Sequence, residues 1–427
     1  MTRPILHIAI VGYGSAGQAA ALALARDGHR VEVFEQAPAL QPVGAGLLLQ
    51  PTGLAALWEL GLLDAALAHG RRIDRLYGDN PHGRPVMDLS YAGLGAGLFG
   101  LGLQRGALFE ILHRAEPAPA AIHCDHRIQA VDPERRRLRD QAGIWHGPFD
   151  LLLIADGSAS ALRRSIAPRA ADPVYPWGAL WCLLPQHDWP AGNQLRQRYR
   201  GASKMIGILP VGSRPDDPVE RLSFFWSLRH ADLERWQQNG LHAWREEVYA
   251  LWPEIHGRLD AIDDPAELAR ARYRDVTPAD WCRGPVALIG DAAHGMSPQL
   301  GQGVNMALLD ALALRDALRQ QPSIAAALAH YQRARRRHVG VYQFWSRWLT
   351  PLFQSDQRIA AALRDALLLP LGRLPLARGQ MLRVLTGTQH GWLGRYPLPA
   401  GFIAALQQRS DPANGAPTIP APRRHRT

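Results

Sequence analysis

The stretch Ile8-Ala9-Ile10-Val11-Gly12-Tyr13-Gly14-Ser15-Ala16-Gly17 decides the fold. Four apolar residues suit a buried strand, three glycines mark a sharp turn, and the Ala- and Leu-rich run that follows reads as a helix closing near Gly28. Val31-Glu32-Val33-Phe34 supplies a second strand, which makes the segment a βαβ unit. Each glycine has its own task. Gly12 permits the turn, Gly14 lets bare backbone approach a pyrophosphate, and Gly17 lets the helix pack close to the strand. The helix opens at Ser15 and Ala16, where free N–H groups face an anionic ligand. Glu35, 23 residues after Gly12 and followed by Gln36, is placed to accept both hydroxyls of an adenosine ribose. A carboxylate there opposes a 2′-phosphate, so NADP is the weakest ligand and the motif by itself leaves NAD and FAD open.

The same letters recur at Gly95-Ala96-Gly97-Leu98-Phe99-Gly100, but no apolar strand precedes them, no helical pattern follows and no acid stands at the right distance. This second copy reads as a loop. The formal net charge of +10 comes almost wholly from arginine, since Lys204 is the only lysine, and the cations are spread along the chain without interleaved aromatics. That pattern does not describe a nucleic-acid surface. Cys124, Cys182 and Cys282 are far apart and lack CxxC spacing, which excludes a dithiol redox pair and a zinc site. We expect no metal. No uninterrupted apolar run reaches membrane-spanning length and no signal peptide is evident, so the cytoplasm is the expected compartment.

Two further strand-like runs end on short motifs: Phe149 to Ala155 leads into Asp156-Gly157, and Val286 to Ile289 leads into Gly290-Asp291. Between about Tyr175 and Tyr273 the pattern changes to alternating, aromatic-rich strands, which reads as a β-rich insertion. From about Val304 the chain is mainly helical. The Leu- and Arg-rich stretch from Trp345 to Leu385 suits core packing or a subunit interface better than a membrane-surface face. Gln407 to Thr427, rich in Pro, Gly and Arg, reads as a disordered tail.

The ordered set Gly12-x-Gly14-x-x-Gly17, Asp156-Gly157 with Arg163, and Gly290-Asp291-Ala292-Ala293-His294 followed by Pro298, Gly301-Gln302-Gly303-Val304-Asn305 and Asp310 resembles the p-hydroxybenzoate hydroxylase family of single-component flavin monooxygenases over about residues 5 to 340. The resemblance implies a Rossmann-like α/β FAD-binding domain with an inserted β-rich substrate domain and a C-terminal helical region. Its expected limits are 1–75, 100–174 and 274–344 for the FAD-binding domain, 76–99 and 175–273 for the substrate domain, 345–406 for the helical region and 407–427 for the tail. It also implies site residues. Asp291 would accept from a ribityl hydroxyl, Gly301 and Gly303 would let backbone reach the flavin ring, and the helix starting near Val304 and Asn305 would point its N-terminus at the ring. Arg105 would reach the flavin side of the cofactor, and the Gly44-Ala45-Gly46 loop would be the segment over which the flavin swings. Asp156 would serve the pyrophosphate and nicotinamide-dependent reduction, Arg163 would tie its motif together, and the backbone of Pro298 would sit beside the ring.

The implied reaction transfers one oxygen atom from O₂, through a flavin C4a-hydroperoxide, to an aromatic or electron-rich small molecule. FAD is non-covalent, and NADH or NADPH visits transiently, because no second dinucleotide motif follows. Quinone- or polyketide-like substrates fit the same chemistry, in a monomer or a homodimer of bacterial aromatic or secondary metabolism. Trp181, Met205, Leu209, Phe224 and Trp226 are the expected apolar lining of the substrate pocket, and no side chain stands out as a base. Rival readings are a prenyl-lipid reductase of the same fold, a non-catalytic flavin-binding protein and a flavin halogenase. The last would need a catalytic lysine and a WxWxIP signature, and only Lys204 is available for the first.

Overall fold

The computed structural model describes residues 4–41, 44–95 and 97–410. Ala96 of the second glycine pattern and residues 411–427 of the expected tail therefore lie outside it. The tail expectation needs one correction: the last helix, Ala400–Ser410, runs past residue 407, and Arg409 ties it down through an ion pair whose Nη2 lies 2.9 Å from Asp64 Oδ2. Anchored charge, rather than apolar packing, extends this helix into a stretch whose composition looked disordered.

The first half of the architecture is a six-stranded sheet in the order Cys282–Arg283, Val286–Leu288, Leu151–Ile154, His7–Val11, Arg30–Phe34, Ala121–His123. All its pairings are parallel except the outermost one, Cys282–Arg283 with Val286–Leu288. Leu151 to Ile154 are wholly buried, as expected of a parallel strand covered on both faces. The helices Ser15–Arg26 and Gly303–Gln320 lie against one another. Small residues let the first helix pack closely: Ala19 and Ala20 are fully buried, and a Cβ at Gly17 would overlap the Gly12 carbonyl oxygen of the turn. Gly12 itself has φ +97°, and a Cβ there would strike the Ala155 carbonyl. The turn thus needs glycine on two counts.

The insertion forms a seven-stranded sheet in the order Ala269–Arg274, Val174–Pro185, Asp217–Arg229, Lys204–Arg214, Gln194–Arg200, Arg75–Asp79, Pro85–Ser90. Only the pairing of Gln194–Arg200 with Arg75–Asp79 is parallel. A helical segment that the sequence reading did not anticipate, Leu233–Leu251, kinked at Gly240 (φ +76°), packs Trp236, Trp244 and Val248 on one face of this sheet, against Ile206, Ile208 and Phe224. The other face turns toward the six-stranded sheet. The helices Ile324–Phe353, Arg358–Arg373 and Pro375–Leu385 follow, and the first of them joins both halves of the chain. Among the described residues no helix is long and apolar enough to cross a membrane.

Candidate active site

A cavity of about 980 Å³ lies between the two sheets. Its first wall is built from the motifs: Gly14, Ser15 and Ala16 from the glycine turn, Gly157 and Ser158 after Asp156, then Asp291, Pro298, Gly301, Gly303 and Val304. Two helices, Ser15–Arg26 and Gly303–Gln320, begin here without a side-chain cap, so their first N–H groups face the cavity free of a competing side-chain acceptor. A Cβ at Gly14, Gly157 or Gly301 would meet nothing within 4 Å. A cradle of open glycines and uncapped helix ends fits a phosphate-bearing, flat-ringed ligand such as FAD. Asp291 is exposed toward this space, 3.6 Å from where a Cβ on Gly303 would stand. Glu35 lies at the far end of the turn, outside the cavity. Its Oε2 accepts from the Tyr13 N–H at 2.7 Å and its Oε1 from the Ala37 N–H at 2.9 Å, with Gln36 exposed beside it.

Behind the wall the motifs are braced to one another. The Arg163 guanidinium is buried and donates to the carbonyls of Ser158 (2.7 Å) and Ala292 (2.8 Å) and to Asp172 (3.0 Å), which joins the Asp156 and Asp291 segments. Asp156 does not itself line the cavity. Burial raises its carboxyl against hydrogen bonds from Ser160 and the backbone, and its Oδ1 has no partner. Gly290, at φ +61°, lies close to Ala16, and its N–H donates to Asp310 Oδ2 at 2.8 Å. The same oxygen accepts from His294 Nε2 at 2.6 Å, while Arg335 Nε donates to Oδ1 at 2.7 Å. Burial would raise the Asp310 carboxyl, but His294 and Arg335 outweigh it and hold it at about 2. Arg335 donates onward to His338 Nδ1 (2.7 Å), and His338 Nε2 donates to the Gly387 carbonyl (2.9 Å). Burial, and then the charge of Arg335, keep His338 neutral. This chain fixes the start of the helix Gly303–Gln320. Only Asp310 and His294 of it were legible in the motifs; Arg335 and His338 sit in an arginine-rich helical run that offered no signal.

Asn305, expected at the cofactor, is instead fully buried behind the wall. Its Oδ1 accepts from the Gln50 N–H at 2.9 Å and its Nδ2 donates to the Gly301 carbonyl at 2.9 Å, so it shapes the Gly301 turn rather than facing the cavity. Arg105 and Gly46 do reach the cavity, and a Cβ at Gly44 would press on the Arg105 side chain.

The second wall comes from the inner face of the seven-stranded sheet and from the C-terminal helices. Trp181, Met205 and Leu209 line it as expected, whereas Phe224 and Trp226 do not. Those two point to the opposite face, into the core under Leu233–Leu251, and the cavity residue is Phe225. Register explains the error: Phe225 stands opposite Trp181 on one side and Gly207 on the other, and Phe224 opposite Ile208. Polar anchors missed from sequence are Gln197, Tyr199 and Tyr273. Burial pushes the Tyr273 phenol up to about 12; its oxygen accepts from Trp181 Nε1 at 3.1 Å. Leu349, Leu352, Leu368, Met381 and Val384 complete this wall, a role for the C-terminal helices that spacing could not reveal. Lys204 lies away from the cavity, paired with Glu247 at 3.0 Å and over the Trp226 ring, which removes the lysine a halogenase would need. One group that could hold a metal ion, His126, Asp140 and His146, does not line the cavity. Asp140 is already occupied there by His146 Nε2 (2.7 Å) and by the N–H groups of Ala142 and Ile144.

Residues 6–341 match the family model described as FAD binding domain. A FAD-dependent urate hydroxylase of Klebsiella oxytoca is 29% identical over 338 residues, covering 76% of this chain and 85% of that protein. A probable 2-heptyl-3-hydroxy-4(1H)-quinolone synthase of Rhodococcus erythropolis is 27% identical over 340 residues, covering 77% and 83%. Among solved structures, Klebsiella pneumoniae HpxO complexed with FAD and uric acid superposes with a TM-score of 0.75 at 24% identity, covering 91% of this chain and 98% of that one.

Proposed function

The chain belongs to the FAD binding domain family, and on that premise we propose that it is an FAD-dependent monooxygenase that transfers one oxygen atom from O₂ to an electron-rich aromatic molecule, with NADH or NADPH as electron donor. The observation that carries this reading is that one cavity holds both the dinucleotide cradle and an apolar compartment able to enclose a second, small molecule. FAD, when bound, accepts two electrons from the nicotinamide and activates O₂ for transfer to carbon. The residues of the chain supply orientation, charge and dryness.

Gly14 and Gly301 leave room for the cofactor's backbone contacts, and Asp291 offers an acceptor to its polyol chain. The uncapped N-terminus of Gly303–Gln320 would favour negative charge on a ring bound beside it by roughly 0.3–2 kcal/mol. Among the described residues Arg105, Arg270, Arg272 and Arg274 line the cavity with one carboxylate, Asp291, and only Arg274 is offset from behind, by Asp172 at 3.6 Å, so the field favours an anionic or ionisable aromatic over a cationic one. Tyr273 stays protonated at neutral pH, and with its oxygen already accepting from Trp181 it keeps its own proton to donate to a substrate oxygen. Phe225, Leu209 and Met205 exclude water around that contact. The long apolar wall suits a ring bearing an alkyl or prenyl substituent; the quinolone in the name of the Rhodococcus relative has such a make-up. A prenyl-lipid reductase would use the same wall, and product analysis separates the two.

The test is direct. The purified protein should be yellow with tight, non-covalent FAD, and hydroxy- or amino-substituted aromatics should stimulate its NAD(P)H oxidation. A colourless protein that cannot be reconstituted with FAD would contradict the proposal.

A further inference from the structure

We propose that the helix Arg358–Arg373 and the start of Pro375–Leu385 dock on the surface of an anionic lipid bilayer, with the mouth of the apolar compartment turned toward the lipid. Ile359, Leu363, Leu367 and Leu371 recur every four residues, and with Leu374 and Leu376 they are between 44% (Leu371) and 91% (Leu376) exposed. The exposure sets this stripe apart from the core packing expected of Trp345 to Leu385, which Phe353, Leu382 and Val384 do show, and leaves the subunit interface as the other expected occupant. The same helix turns its other side inward: Ala361 and Arg364 are buried, and Leu368 lines the cavity. Leu371 belongs to both sets, lining the cavity and facing solvent, so the exposed stripe is continuous with the compartment.

Three occupants are conceivable for such a stripe, and charge and composition choose among them. Residues 411–427 contain one large aliphatic side chain, Ile419, too little to cover six. A second copy in an isologous contact would bring Arg358, Arg373 and Arg378 against their own counterparts. These three arginines are exposed and have no ion pair among the described residues; Arg373 and Arg378 lie near Asp88 and help to lower its carboxyl, but that acid is held by Arg75, and the only acid from 358 to 385, Asp365, is held by Arg364 at 2.6 Å. A cationic rim around an exposed leucine stripe fits an anionic headgroup layer over acyl chains. The net charge of +10 acts in the same direction. Since no helix of the described residues can span a bilayer, the contact is superficial.

The experiment uses the full-length, FAD-loaded protein and sedimentation with vesicles of phosphatidylcholine alone or mixed with phosphatidylglycerol. We expect binding to the mixed vesicles, little to the neutral ones, and weakening as salt is raised. Leu363→Glu combined with Leu367→Glu, at positions half or more exposed, should keep the FAD content and lower vesicle partition about tenfold or more. Arg358→Glu with Arg373→Glu should lower it at low salt and remove the salt dependence. Absence of binding to either vesicle, or binding unchanged in the leucine variant, would overturn the proposal. So would a dimeric wild type that this variant turns into a monomer, because the stripe would then belong to a second copy. Vesicle binding is read without turnover, so a failed oxygenase reading and a failed docking surface give different results.

Discussion

At the scale of single residues, Gly14 separates a folding role from a binding role better than any other position. Its φ of −72° is open to every residue, and a Cβ there meets only the cavity. Gly14→Val should therefore leave the unfolding free energy of the apoprotein within about 0.5 kcal/mol of wild type while abolishing the yellow colour; denaturant melts and absorbance check both. Gly17 would behave in the opposite way, because any side chain there collides with the turn itself. Phe224 and Phe225 form a second pair of contrasts. Phe224→Ala should destabilise the fold by about 3–5 kcal/mol through a cavity in a closed core, with substrate KM little changed. Phe225→Ala should instead raise KM and increase peroxide release at a smaller cost in stability. Equal behaviour of the two would contradict the register. Tyr273→Phe should raise KM by about three- to tenfold, the loss of one neutral hydrogen bond, with FAD content unchanged.

At the scale of elements, the helix Gly303–Gln320 is aimed at the cavity by Asp310, and the prediction concerns that buried charge. Asp310→Asn leaves Arg335 without its counter-ion and should cost about 3–5 kcal/mol at neutral pH, measured by urea unfolding. The folded carboxyl titrates at about 2, below the ordinary value near 3.9 of an unfolded aspartate. Its stabilisation is therefore complete above roughly pH 4 and is lost as pH falls from there toward 2. The gap between wild type and variant should narrow over that window. The βαβ opening was legible because glycine spacing, a strand of four apolar residues and an acid at the right distance agree, and the two later strands because each ends on a turn motif. The strand Asp217–Arg229 misled for a physical reason. Leu222-Ser223-Phe224-Phe225-Trp226 is buried on both faces, by a helix and by the cavity, so no alternation marks the inward side. The covering segment Leu233–Leu251 was hidden in turn by its kink: Gly240, at φ +76°, interrupts the helical repeat between Trp236 and the later Trp244, Val248 and Leu251.

At the scale of the molecule, the C-terminal helices close a compartment that the two sheets leave open, and this is why composition alone could not assign them a role. Closure has a kinetic consequence. If the nicotinamide only visits, flavin reduced before the compartment holds substrate would lose its electrons to O₂ as peroxide, so the true substrate should accelerate anaerobic bleaching of the yellow protein by NAD(P)H at least about tenfold, or roughly 1.4 kcal/mol of barrier. Stopped-flow absorbance with and without substrate reads this, and equal rates would remove the gating. The central claim is the fate of O₂, and one measurement addresses it: turnover under ¹⁸O₂ with the aromatic that most stimulates NAD(P)H oxidation, followed by mass spectrometry of the product. The account predicts one ¹⁸O atom in the product for each productive NAD(P)H consumed; a product reduced by two hydrogens and free of ¹⁸O would contradict it and make the protein a reductase.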